Sequence, residues 1–95
     1  MLILGQNGDI IINFERINLI KIESSENEFD IEINYADDKW DVIGTYESFD
    51  RAKEIIAELI NTYLKVVRVV ENASCKGRKE PKFYNIPKVY YMPKE

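Results

Sequence analysis

The chain alternates polar and apolar residues in the stretch EFDIEINY, residues 28–35. Phe29, Ile31, Ile33 and Tyr35 fall on one side of an extended chain, because successive side chains of a strand point to opposite faces. Acidic and amide side chains occupy the positions between them. This period of two predicts a β-strand with one dry and one wet face.

Similar short segments precede and follow this strand, with polar turns between them. Asn7-Gly8 lies between two apolar runs and predicts a two-residue type I′ hairpin turn, in which both residues have positive φ. Trp40, Val42 and Tyr46 are expected on one side of the last strand. Because the segments are consecutive and the turns short, we predict an antiparallel meander of about five strands, at about residues 1–6, 9–14, 17–23, 29–35 and 40–46.

The apolar spacing changes after Ser48 to three and four residues, which is typical of an amphipathic helix. Ser48 is a good N-cap, and Asp50 lies where the helix dipole favours an anion. We predict a helix over 48–71. Residues 66–70 are mostly β-branched and are also compatible with a strand. The apolar stripe comprises Ala52, Ile55, Ile56, Leu59, Tyr63, Val66, Val67 and Val70.

The predicted fold class is therefore α+β, a single domain over 1–95 with one long helix packed across an antiparallel sheet. Residues 1–47 form the meander, 48–71 the helix, and 72–95 a loop and a short extended C-terminal segment. That last segment is expected to dock on the sheet edge or to cover the helix. Besides helix residues Ile55, Ile56, Leu59 and Tyr63, the predicted dry face contains Ile10, Ile12, Phe14, Ile20, Ile22, Phe29, Ile31, Ile33, Trp40 and Val42.

The composition argues against an enzyme. The chain has no histidine and one cysteine, Cys75, which excludes Cys–His catalysis and cysteine-rich metal sites. We therefore expect no catalytic residues, no metal and no cofactor. One cysteine allows no intrachain disulfide, and neither a signal peptide nor a long apolar run is present, so we expect a cytoplasmic protein without membrane contact.

Charge is distributed unevenly along the chain. Residues 1–50 carry 12 acidic and 3 basic side chains, whereas residues 76–95 carry 2 and 6. An acidic sheet does not attract nucleic acid directly. It suits a protein partner with a basic surface, and the same side chains also suit a solvated face that maintains solubility. The candidate contact residues are Glu26, Glu28, Asp30 and Glu32, with Tyr90 and Tyr91 as aromatic anchors.

Two alternatives remain open at this stage. Lys76, Arg78, Lys79 and Tyr84 could line a pocket for a nucleotide-like ligand, which would make the protein a small-molecule sponge. The chain could also be a structural protein that self-associates into a homo-oligomer through an uncovered sheet edge or helix face.

Several short motifs resemble those of small proteins from Gram-positive bacteria and their phages. The motifs are MLILGQ (1–6), INF (12–14), GTYES (44–48), RAKEII (51–56) and VYYMP (89–93). The resemblance carries no assigned activity. It implies a small accessory protein encoded by a phage or prophage. Together with the acidic face, this leads to the hypothesis of an anti-CRISPR-like inhibitor of a host defence or of another nucleic-acid-handling complex.

Overall fold

The computed structural model describes residues 1–76 and 89–95, with side chains described for 1–67 and 89–95. Within these residues the chain is α+β, as predicted, with six strands and one α-helix. The elements are β1 (Leu2–Leu4), β2 (Ile11–Asn13), a 3-10 helix (Phe14–Arg16), β3 (Leu19–Ser25), β4 (Glu28–Ala36), β5 (Lys39–Tyr46), α1 (Phe49–Lys76) and β6 (Val89–Tyr91).

The strands form two three-stranded sheets, so the prediction of one five-stranded meander is wrong. The meander is confined to the large sheet, in the order β3-β4-β5. The small sheet has the order β2-β1-β6, in which β1 pairs antiparallel with β2 and parallel with β6. The parallel partner comes from the C-terminal segment, and local sequence patterns do not specify such a distant pairing.

The φ values of the turn residues show which of the first hairpins has a two-residue turn. Glu26 and Asn27 have φ values of 46° and 68°, so the two-residue type I′ turn lies between β3 and β4. The predicted type I′ turn at Asn7-Gly8 is wrong, because only Gly8 has positive φ, at 72°. The hairpin between β1 and β2 exists, but its loop is longer and contains a turn closed by the Gly8 N–H on the Gly5 carbonyl at 2.9 Å.

A β-bulge in β5 changes which side chains the large sheet buries. Ile31 pairs with Gly44 and the next residue, Glu32, pairs with Val42, so Ile43 is an extra residue in β5. The alternation therefore reverses at Ile43, which is 2% exposed, while Val42 is 47% exposed. The prediction that Trp40 and Val42 share the dry face with Tyr46 is wrong for this reason.

The core lies between the two sheets and the helix. Of the predicted core residues, Ile31, Ile33, Ile55 and Leu59 are fully buried. Seven others are partly buried against the core: Ile10, Ile12, Phe14, Ile20, Ile22, Phe29 and Ile56. Tyr46, which periodicity places on the dry side of the last strand, is buried, and the core also contains residues that periodicity did not place there, namely Ile3, Ile43, Tyr90 and Met92.

The helix begins as its sequence predicts. The Ser48 hydroxyl accepts a hydrogen bond from the Arg51 N–H at 3.0 Å, the geometry of an N-cap. Asp50 lies in the first turn. Residues 66–70 are helical, and the helix continues to Lys76, beyond the predicted end at 71. Tyr63 stacks on Phe14 with ring centroids 4.3 Å apart, which connects the helix to the segment after β2.

The C-terminal residues bind both sheets and the helix together. The Tyr46 hydroxyl donates to the Pro93 carbonyl at 2.7 Å, and the Tyr90 hydroxyl donates to Glu58 Oε1 at 2.8 Å. Burial raises the pKa of Tyr46 to about 12. Burial, together with the Glu58 hydrogen bond to the neutral phenol, also raises the pKa of Tyr90 above 10.0.

The bulge yields a test on two adjacent residues of β5. Replacing Ile43 by Ala should lower the free energy of unfolding by about 2–4 kcal/mol, because it leaves a cavity in the core. Val42→Ala is the matched control and should cost less than about 1 kcal/mol, since its side chain is largely exposed. Urea unfolding measures both values. Equal losses in the two variants would contradict the bulge.

The buried phenols predict a loss of stability in alkali. Their folded-state pKa values lie above the unfolded value of about 10, so the unfolded chain releases protons first as the pH rises. The free energy of unfolding should therefore fall between about pH 10 and 12, by up to about 1.4 kcal/mol per pH unit for each tyrosine. Urea titrations should show a shallower fall in a Tyr46→Phe, Tyr90→Phe double variant. Tyr91→Phe, at an exposed tyrosine outside the core, is the matched control.

Candidate functional site

One face of the large sheet packs against the helix, and the opposite face is open to solvent. We call the latter the outer face. It is formed by side chains at alternate positions of β3 and β4 and on both sides of the bulge in β5. They are Leu19, Lys21, Glu23, Glu28, Asp30, Glu32, Asn34, Trp40, Val42 and Thr45.

Strand register gathers the acidic side chains of the outer face. Glu23 lies directly opposite Asp30, and Lys21 lies opposite Glu32. The Thr45 hydroxyl donates a hydrogen bond to Asp30 Oδ1 at 2.8 Å, which fixes that carboxylate. Like charges directly opposite each other in an antiparallel pair repel, and the Lys21 ammonium, 3.5 Å from Glu23 Oε2, offsets part of that repulsion here. The arrangement of Glu23 and Asp30 therefore does not contribute to the stability of the sheet.

An aromatic and apolar group lies at the other end of the same face. Trp40 is 38% exposed and Leu19 is 53% exposed, and the two flank Asn34 in register. Val42 adds a third exposed apolar side chain. The Lys21 ammonium lies 4.5 Å from the Trp40 ring centroid and 3.5 Å from Glu23 Oε2, so it connects the apolar group to the acidic one.

The structure separates the contact residues that the sequence predicted. Glu28, Asp30 and Glu32 share the outer face, and Glu26 lies in the turn beside it. Tyr90 is buried in the core, so it offers no surface to a partner. Tyr91 is 67% exposed, but it belongs to the small sheet.

The alternative ligand pocket is formed mostly by residues outside the described part of the chain, so it stays a prediction. Lys76 is the last residue of α1. Arg78, Lys79 and Tyr84 lie outside the described residues.

Sequence periodicity missed Trp40, Val42 and Leu19 as surface residues. A signal for the first two was present at Gly44, because glycine inside a strand often marks a bulge. A Cβ at Gly44 would lie 2.7 Å from the Tyr46 ring, so a larger residue would displace that ring. Glu23 was also outside the predicted contact set, although its register with Asp30 places it on the outer face.

A cleft of about 680 Å³ adjoins the acidic end of the outer face, near the start of α1. Its lining has both charges: Glu28, Glu47 and Glu95 together with Arg51 and Lys94. The Arg51 guanidinium already donates to the main-chain oxygen of Glu95 at 2.9 and 3.0 Å. The cleft therefore has no single charge preference, and it extends the polar rim of the outer face.

No group of three or more His, Cys, Asp or Glu side chains is placed to hold a metal ion within 1–76 and 89–95. No helix in that part of the chain is long and apolar enough to cross a membrane.

No protein-family model matches the chain, and no curated protein or solved structure is significantly similar to it. The geometry of the outer face is therefore the basis for the function proposed below.

The position of Trp40 can be tested by fluorescence, because it is the only tryptophan in the chain. We expect the folded protein to show the emission of a solvent-facing indole and ready quenching by acrylamide, since the ring lies on the outer face. Unfolding in urea should shift that emission little. A blue-shifted, poorly quenched signal in the folded state would instead place Trp40 in the core.

Proposed function

We propose that this chain is a non-enzymatic protein-binding module whose outer face docks on a basic surface of a partner protein. The observation that carries the proposal is the open sheet face with Glu23, Glu28, Asp30 and Glu32 on adjacent strands. A partner that normally binds nucleic acid has such a basic surface. In its sharper form, the protein is a phage- or mobile-element-encoded inhibitor that occupies the basic groove of a host defence complex or another nucleic-acid-handling complex.

The strand geometry suits this role. Glu28, Asp30 and Glu32 project from the same face of β4 at intervals of two residues, roughly 6.8 Å apart. Glu23 widens the row toward β3 through its register with Asp30. A regular row of carboxylates on a rigid strand presents a fixed negative potential, which steers a basic partner during encounter and disfavours acidic ones.

Glu23 opposite Asp30 also favours a binding role over simple solubility. Solubility requires dispersed charge, whereas two carboxylates directly across a strand pair repel each other. A cationic partner would reverse the sign of that interaction, because each carboxylate would then face a positive charge. Binding would therefore relieve the part of this repulsion that the Lys21 ammonium beside Glu23 leaves uncompensated.

Charge reversal tests the proposal. The wild-type chain would first be used to capture its partner from its own cells. The triple variant Glu28→Lys, Asp30→Lys, Glu32→Lys should then bind that partner more than tenfold more weakly, because each reversal replaces an attraction by a repulsion. Titration calorimetry at two salt concentrations measures the affinity, and wild-type binding should weaken as salt rises.

The matched control reverses three exposed carboxylates elsewhere: Asp9→Lys, Glu15→Lys and Glu54→Lys. It changes the net charge equally but leaves the outer face intact, so it should bind within about threefold of wild type. Equal weakening in both triple variants would indicate a net-charge effect. Unchanged affinity in the outer-face variant would contradict the proposal.

A further inference from the structure

We infer, on the basis of the proposed function, that the partner segment is arginine-rich and places one guanidinium on the Trp40 ring. The proposed function requires only a basic partner. The exposed group of Leu19, Trp40 and Val42 adds a second requirement. The cationic side chains of the partner must also stack on an aromatic ring and pack against apolar side chains. Strict alternation along β5 predicts core positions for Trp40 and Val42, and the bulge at Ile43 places both side chains on the outer face instead.

The Trp40 ring already holds a cation. The Lys21 ammonium lies 4.5 Å from its centroid, within the range at which the negative face of an indole attracts a positive charge. The Lys21 side chain is 43% exposed, so this contact lies on the solvent side of the sheet, where a guanidinium from a partner can replace the Lys21 ammonium on the ring. A guanidinium is planar and weakly hydrated, and it therefore stacks on the ring better than an ammonium does.

The surrounding side chains also fit arginine. Leu19 and Val42 are exposed apolar groups beside Trp40, and they can cover the aliphatic stem of a long cationic side chain. Glu32 pairs with both Lys21 and Val42 in register. It is therefore placed to accept hydrogen bonds from a guanidinium at this position.

Other occupants fit the outer face less well. A second copy of the chain would bring Glu23 and Asp30 against the same carboxylates, and nucleic acid would bring phosphates against them. A neutral apolar partner would bury Lys21 and Glu32 away from water without new hydrogen bonds, which is costly. A basic protein segment that contains arginine is complementary to both the acidic end and the apolar end of the outer face.

Two peptides of equal charge test the inference on the intact chain. Deca-arginine and deca-lysine, each labelled with a fluorophore, would be titrated at low salt and followed by anisotropy. We expect deca-arginine to bind about three- to fivefold more tightly, the effect of one exposed cation–π contact. It should also change Trp40 emission, which deca-lysine should alter much less.

Variants assign the difference to Trp40. Trp40→Leu should reduce the arginine-to-lysine affinity ratio to about one, and Trp40→Tyr should retain part of it, since tyrosine also attracts cations. Tyr91→Leu is the matched control, because it removes an exposed aromatic ring from the other sheet and should leave the ratio unchanged. Circular dichroism would confirm that each variant folds. Should Trp40→Leu not fold, the change in Trp40 emission of the wild-type chain remains decisive.

The measurements distinguish failure of the arginine preference from failure of the proposed docking face. Equal affinity of the two peptides for the wild-type chain, or an unchanged ratio in folded Trp40→Leu, would overturn the inference. If the triple reversal of Glu28, Asp30 and Glu32 still weakened binding of both peptides, the proposed acidic docking face would stand without the arginine preference. Peptide binding that the triple reversal left intact would contradict both.

Discussion

The Ile43 carbonyl accepts a hydrogen bond from the Gln6 N–H at 2.8 Å, at the point where β5 has one residue more than β4 opposite it. This contact joins the two sheets. The Gln6 side chain extends it, because its amide accepts from the Thr45 N–H at 2.8 Å and donates to the Thr45 carbonyl at 3.0 Å. One glutamine thus satisfies main-chain groups at the edge of β5 that would otherwise be open to another strand.

The same extra residue determines the two faces of the large sheet. Its side chain enters the core, and the alternation of β5 reverses around it. Before the bulge Val42 points outward, and after it Tyr46 points inward, where its hydroxyl reaches Pro93. The bulge therefore connects core packing, the attachment of the C-terminal residues and the composition of the outer face.

Much of the fold follows from local pattern. The alternation over 28–35 and the Ser48 cap predicted β4 and the start of α1 correctly, because both depend on neighbouring residues. The parallel pairing of β1 with β6 did not follow, since it joins residues almost a chain length apart. The bulge was also missed, and this error moved Trp40 from the outer face to the core.

In the candidate site too, features set by neighbouring residues could be predicted, and features set by strand pairing could not. The carboxylates at alternate positions of β4 could be predicted from the sequence, whereas the position of Glu23 directly opposite Asp30 required the register between β3 and β4. Tyr90 and Tyr91 are adjacent in sequence, yet one is buried on Glu58 and the other is exposed. Aromatic content alone therefore could not indicate which of them faces solvent.

Some features of the outer face do not stabilise the isolated chain. An exposed Trp40 and an exposed Val42 leave apolar surface in water, and Glu23 opposite Asp30 adds a repulsion. These features differ in chemistry but share one face, and each becomes favourable when a cationic, partly apolar surface covers it. Burying the first two gains hydrophobic contact, and placing positive charge over the carboxylates replaces repulsion by attraction. A single partner can thus turn each of these unfavourable contacts into a favourable one, and this supports the binding role proposed for the outer face.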